Sequence, residues 1–339
     1  MKIKKILASA MIGILLTVSL SGCATNGTND SNGTTGTNET GAPDTVKYKI
    51  GLCQTTQHQA LDAATKGFEE KLTSLLGKDN VEFDLQNASG ESTACSTIVN
   101  QFVSSKYDLI FANATAALQS SAAATSDIPI VGTSITDYAS ALDIDDWNGK
   151  TNRNITGTSD LAPLKEQAEM FKELLPDVKK IGLLYCSNES NSKYQVDIVA
   201  EELKKLGYEA IMYPFSDSND VAAVTTALCG ACDAMYIPTD NTAASSVEII
   251  ANIVTPANIP VIASEEGICE GCGVATLSIS YYSLGEVTAQ MAFDILKNNA
   301  DPATMEIKYA DNLTKKYVPE RAAALGITVP EGYEAITAE

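Results

Sequence analysis

The side chains able to do chemistry in this sequence gather in short polar runs, each following an apolar one. Gln54-Thr55-Thr56-Gln57-His58 follows Lys49–Cys53, Asn113-Ala114-Thr115 follows Tyr107–Ala112, and Thr133, Ser134, Thr136 and Asp137 follow Ile128–Val131. Further on, Ser187-Asn188-Glu189-Ser190-Asn191-Ser192, Thr239-Asp240-Asn241-Thr242 and Ser264-Glu265-Glu266 repeat the arrangement. These runs offer hydroxyls, amides and carboxylates, and none contains Lys or Arg. Such a set suits a polar ligand held by hydrogen bonds and backbone amides, rather than a phosphate clamped by cations. Taken singly, Ser, Thr, Asn and Asp in these places would serve as helix N-caps. A ligand site requires them to converge on one edge.

Catalytic devices are scarce. His58 is the only histidine, no serine sits between nucleophile-elbow glycines, and there is neither a Gly-Lys-Thr phosphate loop nor a dinucleotide fingerprint. The chain is therefore not expected to be an enzyme or to carry a cofactor. Two of its cysteine pairs, Cys229/Cys232 and Cys269/Cys272, have the Cys-x-x-Cys spacing of a metal knuckle. Cys232 and Cys272 each precede a strand. Strands two apart in a sheet are ~10 Å apart, so a four-thiolate zinc site is geometrically open. Disulfides within the pairs suit an exported protein better, unpaired thiols would survive in an anaerobic habitat, and no metal is expected. Cys53, Cys95 and Cys186 read as small buried apolar residues.

For the polar runs to converge, the apolar segments before them must be strands of parallel sheets. In the first half, strands at 49–53, 81–87, 107–112 and 128–131 alternate with helices at 58–76, 92–104 and 115–124. After Asn154–Asp160 the rhythm returns: a helix over 163–175, then strands at 180–186, 209–215, 234–237, 260–263 and 274–279, with helices at 190–206, 220–228, 242–254 and 284–298. A strand at 305–309 and a short helix at 319–325 close the chain. Alternation of this kind implies right-handed crossovers and two doubly wound α/β lobes. Ligands of such sheets sit beyond the carboxyl ends of the strands. Asn154–Asp160 is expected to be one strand of a hinge between the lobes, with Thr158, Ser159 and Asp160 at the floor of the cleft.

Net charge is −20, from 43 acidic and 23 basic residues, which argues against nucleic acid as a partner. The amino terminus has Lys2, Lys4 and Lys5, an apolar run from Ile6 to Leu20, and then Leu20-Ser21-Gly22-Cys23. This looks like a bacterial lipoprotein signal peptide, residues 1–22, with Cys23 as the lipidated residue that tethers the protein to the extracytoplasmic face of the cell membrane. Residues 23–45, rich in Asn, Gly and Thr, read as a disordered tether.

An ordered set of motifs adds a resemblance. His58-Gln59-Ala60-Leu61-Asp62, Tyr107-Asp108-Leu109-Ile110, Asp127-Ile128-Pro129-Ile130-Val131, Thr136-Asp137, Asn154–Asp160, Leu175-Pro176, Ser190-Asn191-Ser192 and Thr239-Asp240-Asn241 occur in this order. Across about residues 47–335 the chain resembles the TrpX-like substrate-binding lipoproteins of ABC importers, which take up amino acids, aromatic ones in the best-known cases. The resemblance implies the type I periplasmic-binding-protein fold, with crossings at 154–160, 280–283 and 309–312. The first lobe is then 46–157 plus 284–310, and the second 158–283 plus 311–339. It further implies a monomer that captures an amino acid, tryptophan-like, by cleft closure and delivers it to an ABC permease with its ATPase subunit. A nucleoside or sugar as ligand, or a sensory surface lipoprotein, is the alternative.

The ligand-binding set expected on this basis is Gln54, Thr56, Asn113, Ala114, Thr115, Thr136, Asp137, Ser159, Asn188, Asn191, Ser192, Asp240, Asn241 and Tyr281. Within it the ligand carboxylate would meet backbone N–H groups at Ala114–Thr115 or Ser190–Ser192. The ammonium would meet Asp240 first and Asp137 second. Tyr138, Tyr185 and Tyr281 would face an aromatic side chain. Two departures, Gln59 and Ala116 where the family usually has proline, leave room for a different side chain in the first-lobe pocket.

Overall fold

A computed structural model describes residues 47–310 and 313–337; the expected signal peptide, Cys23 and the tether lie outside this range. The strands are β1 (Tyr48–Gln54), β2 (Val81–Asn87), β3 (Leu109–Asn113), β4 (Ile130–Ile135), β5 (Ile155–Ser159), β6 (Lys180–Cys186), β7 (Glu209–Phe215), β8 (Ala234–Ile237), β9 (Val261–Ala263), β10 (Ala275–Ser278), β11 (Lys308–Tyr309), β12 (Thr314–Tyr317) and β13 (Glu334–Ala335). They form two sheets, ordered β11-β5-β4-β3-β1-β2 and β13-β12-β10-β9-β8-β6-β7. The five leading strands of each half therefore take the same order, 2-1-3-4-5, that of a doubly wound lobe. Within those five every pairing is parallel; β12 runs antiparallel to β10 at the edge of the second sheet.

The repeated Lys-Ile-Gly-Leu of β1 and β6 has a packing reason. A Cβ built on Gly51 would lie 2.5 Å from the Phe102 ring, and one on Gly182 would lie 2.5 Å from Leu228. In both lobes a large apolar side chain from the covering helix presses onto the bare backbone of the central strand. Phe102 and Leu228 are fully buried, so each lobe hangs one helix on this contact.

The chain passes from the first sheet to the second after β5, returns after β10 and crosses again after β11. Asn154–Asp160 is thus mostly a sheet strand, buried from Ile155 to Ser159, and the crossing begins at Asp160. On the return, the helix Tyr281–Asn298 packs against Gln59–Leu76 so closely that Gly285 meets the Ala64 carbonyl and Gly67 the Tyr282 carbonyl. Side chains at either glycine would part the two helices.

Local differences from the expected elements have local causes. The helix expected over 242–254 is broken into Asn241–Ser245 and Val247–Ala257 at Ser246. Glu266–Cys272 folds as a helix because Glu265 caps it, its carboxylate accepting from the Gly267 and Ile268 N–H groups. The long helix starts at Tyr281 rather than 284, capped by Ser280.

Candidate functional site

Both sheets point the carboxyl ends of their strands at a small cavity of about 10 Å3 between the lobes. His58, Leu61, Ser134 and Thr136 line it from the first lobe, Asn191, Thr239, Asp240, Asn241, Ala244 and Glu265 from the second, and Asp160 and Tyr281 from the crossings. A larger groove of about 520 Å3 opens outside it, reaching Thr56 and Thr115 on one side and Asn188, Asn191 and Asn241 on the other.

Three buried carboxylates face the cavity, and no Lys or Arg lines it. They are not equivalent. Asp240 accepts from the Cys186 N–H at 2.6 Å and the Ala243 N–H at 2.8 Å, so each oxygen is engaged by backbone. Glu265 is engaged the same way by Gly267 and Ile268. Asp160 is held chiefly by side-chain hydroxyls, Thr136 on Oδ1 at 3.2 Å and Tyr281 on Oδ2 at 2.8 Å, with its own backbone N–H a lesser contact. Two hydroxyls leave lone pairs of this carboxylate open to a ligand.

Burial disfavours the charged form of all three. It pushes Asp160 up to about 6 against the pull of the Tyr281 and Thr136 hydroxyls. It pushes Glu265 up to about 7 against its two backbone donors. Asp240 rises to about 8, from burial first and the neighbouring Glu189 charge second. A buried carboxylate without a counter-charge is costly. An ammonium-bearing ligand supplies one.

The lobes meet around this cavity. The Thr136 and Thr239 hydroxyls are 3.3 Å apart, Gln195 Nε2 donates to Thr136 Oγ1 at 3.4 Å, and His58 Nε2 lies 3.2 Å from Asn241 Oδ1. Outside the cavity Gln59 Nε2 donates to Glu270 Oε2 at 2.9 Å. The cleft is closed. One polar group in it has no partner: the buried Ser134 hydroxyl, on a backbone with φ of 56°. A strained residue with an orphaned hydroxyl beside a cavity is a ready contact for a bound molecule.

Of the residues expected to bind, Thr136, Asn191, Asp240, Asn241 and Tyr281 line the inner cavity, and Thr56, Thr115 and Asn188 line the outer groove. Gln54, Asn113, Ala114, Asp137, Ser159 and Ser192 line neither. Gln54 and Asn113 stand behind the wall: Asn113 Nδ2 donates to the Leu61 carbonyl at 2.9 Å and to the Thr65 hydroxyl, which in turn donates to Gln54 Oε1. Ser159 donates to the Thr136 carbonyl at 2.9 Å. Asp137 caps the short helix Tyr138–Ala141 through the Ser140 N–H. Tyr138 and Tyr185 are buried in the lobe cores, leaving Tyr281 as the tyrosine on the cavity wall.

His58, Ser134, Thr239 and Glu265 belong to the polar runs after the strands but were not in the expected binding set; Leu61 and Ala244 carry no signal beyond an apolar helix face. The cysteines stand in the thiol form. Among the described residues no group of three or more His, Cys, Asp or Glu is placed to hold a metal, and the seven described cysteines are free thiols. Cys269 and Cys272 lie one turn apart on a helix and point into the apolar core that also holds Cys232. Packing explains them without a disulfide or a zinc knuckle.

The family described as ABC transporter substrate binding protein matches residues 49–338. A tyrosine-binding protein of Clostridioides difficile (strain R20291) is 37% identical over 302 residues, covering 88% of this chain and 86% of that protein. The solved ABC domain from Streptococcus pneumonia in complex with L-Trp is 32% identical with a TM-score of 0.81, over 86% of this chain and 100% of that one. The ligand-free, open structure of a substrate-binding protein with adhesive properties from Clostridium difficile is 35% identical over 86% and 100%, with a TM-score of 0.65. At similar identity the chain superposes better on the liganded structure than on the open one, in keeping with its closed cleft.

Proposed function

The chain belongs to the ABC transporter substrate-binding protein family, and we propose that this member captures an aromatic amino acid in its interlobe cavity and delivers it to an ABC permease with its ATPase subunit. The family is one of solute binders, and no catalytic role is assigned. The observation that carries the ligand reading is the buried Asp160 carboxylate, held by two hydroxyls in a cavity with no lining Lys or Arg. It is the natural partner of an α-ammonium. Relatives described with tyrosine and L-Trp support an aromatic side chain.

Delivery takes place at the extracytoplasmic membrane face, with the protein anchored through lipid on Cys23. Closure follows from differential contact: a ligand that touches both lobes only when they are together shifts the population towards the closed form.

A thermal-shift panel of the twenty amino acids, nucleosides and sugars tests the reading. A ligand at about 100 times its dissociation constant adds ~2.7 kcal/mol of stability. Tyrosine and tryptophan are expected to raise the melting temperature. A shift with a nucleoside or sugar and none with any amino acid would remove the proposal. Loss of tyrosine or tryptophan uptake on deletion separates delivery from sensing, which leaves uptake intact.

A further inference from the structure

Glu189, on the rim of the second lobe, accepts from Asn191 Nδ2 at 3.2 Å and otherwise spends its carboxylate on one short segment. Its Oε2 accepts from the backbone N–H of Asn241 at 3.0 Å and from Asn241 Nδ2 at 2.7 Å. Its Oε1 accepts from the backbone N–H of Thr242 at 2.8 Å and from the Thr242 hydroxyl at 2.7 Å. With Nδ2 committed to Glu189, the Asn241 amide must turn Oδ1 the other way, and there it meets His58 of the first lobe at 3.2 Å. An amide oxygen only accepts, so His58 donates from Nε2–H. Glu189 thus fixes the orientation of an amide that has one function left, to receive the opposite lobe.

The position of this bond gives it a consequence. Asn241 lines both the cavity and the outer groove, and His58 lines the cavity. The bond therefore lies where one space opens into the other, and it exists only while the lobes are together.

We propose that Glu189 and Asn241 are positioning residues that hold His58 as a latch across the mouth of the cavity, setting how long the closed form keeps its ligand. This rests on the reading of the cavity as the ligand site. A contact made in the closed form alone stabilises that form whatever is bound. Its loss therefore acts on the release rate, equally for each ligand, and leaves association nearly unchanged. A neutral hydrogen bond of ordinary strength corresponds to roughly threefold to tenfold in that rate.

The test is stopped-flow release of L-tyrosine and of L-tryptophan from wild type, His58→Phe, His58→Gln and Glu189→Gln, with small-angle X-ray scattering of each protein with and without ligand. His58→Phe and Glu189→Gln are expected to release both ligands about threefold to tenfold faster, by the same factor. Without ligand they are expected to show a larger radius of gyration than wild type. His58→Gln keeps a donor amide and is expected to recover part of the retention that His58→Phe loses. Unchanged release in both other variants, a factor that differs between the two ligands, or His58→Gln behaving as His58→Phe would overturn the latch. If neither amino acid binds any of the proteins but the variants still open in scattering, the latch stands and the ligand reading falls.

Discussion

The Tyr281 hydroxyl donates to Oδ2 of Asp160 at 2.8 Å, joining two residues 121 positions apart. Asp160 begins the first crossing between the lobes, and Tyr281 begins the helix that follows the second. The one cavity carboxylate held chiefly by side-chain hydroxyls is therefore suspended between two hinge segments. A cation placed on it acts on the parts of the chain that move when the cleft closes.

Asp160→Asn keeps the shape and removes the charge. Hydrogen bonds to charged groups contribute ~1.5–3 kcal/mol, so affinity for the amino acid should fall by roughly tenfold to a hundredfold in calorimetry. The unliganded melting temperature at pH 8 should not fall, because the variant no longer buries an ionised carboxylate. Unchanged affinity would take Asp160 out of the site. Asp240→Asn, by contrast, should lower stability first, since Asp240 ties the Cys186 N–H to the Ala243 N–H.

The pH dependence has a defined sign. Burial lifts Asp160 to about 6, Glu265 to about 7 and Asp240 to about 8, all above their unfolded values, so the folded protein holds more protons than the unfolded chain across that window. Their contribution to stability is fully present below the unfolded values near ~4 and is lost as pH rises through about 6 to 8. The unliganded melting temperature should therefore drop from pH 5 to pH 8 through these groups. A bound ammonium favours their ionised forms, so affinity should weaken as pH falls through about 6. Affinity that rises on acidification would contradict this.

Gly157, in the middle of β5, has φ of 149°, and a Cβ there would run into the Gly132 carbonyl oxygen and the Tyr138 hydroxyl. Gly157→Ala should cost at least ~3 kcal/mol in denaturant unfolding, because neither backbone nor a fully buried ring can give way. A loss under ~1 kcal/mol would show the β4–β5 junction to be more yielding than its packing implies.

Cys23→Ala should move the protein from the membrane fraction to the soluble extracytoplasmic fraction on cell fractionation, since a single lipid-modified cysteine is the proposed anchor. Continued membrane association would point to another attachment.

Much of the fold is legible in local pattern. The polar runs after Ile237 and Ala263 announce strand ends, and Lys-Ile-Gly-Leu occurs twice because each lobe needs a bare strand under Phe102 or Leu228. The site is legible only in part, because what decides it is non-local. Asp240 and Asp160 look alike in sequence, each following a Thr or Ser near a strand end. Only in the fold does Asp240 find two backbone N–H groups, one from Cys186, while Asp160 finds two hydroxyls and an open side. Asp137 reads as a cleft residue by position, yet the adjacent Ser140 N–H takes it as a cap. Cys269 and Cys272 have metal-knuckle spacing, but the same spacing is one helical turn, and Glu265 starts a helix there.

The central claim is that the α-ammonium of an aromatic amino acid is held in the interlobe cavity by Asp160. Calorimetric titration of the purified protein with L-tyrosine, L-tryptophan and their N-acetyl derivatives tests it most directly. At least one free amino acid should bind, and acetylation, which removes the charge and keeps the ring and carboxylate, should weaken it by roughly a hundredfold or more. N-acetyl derivatives binding as tightly as the free amino acids would contradict the account.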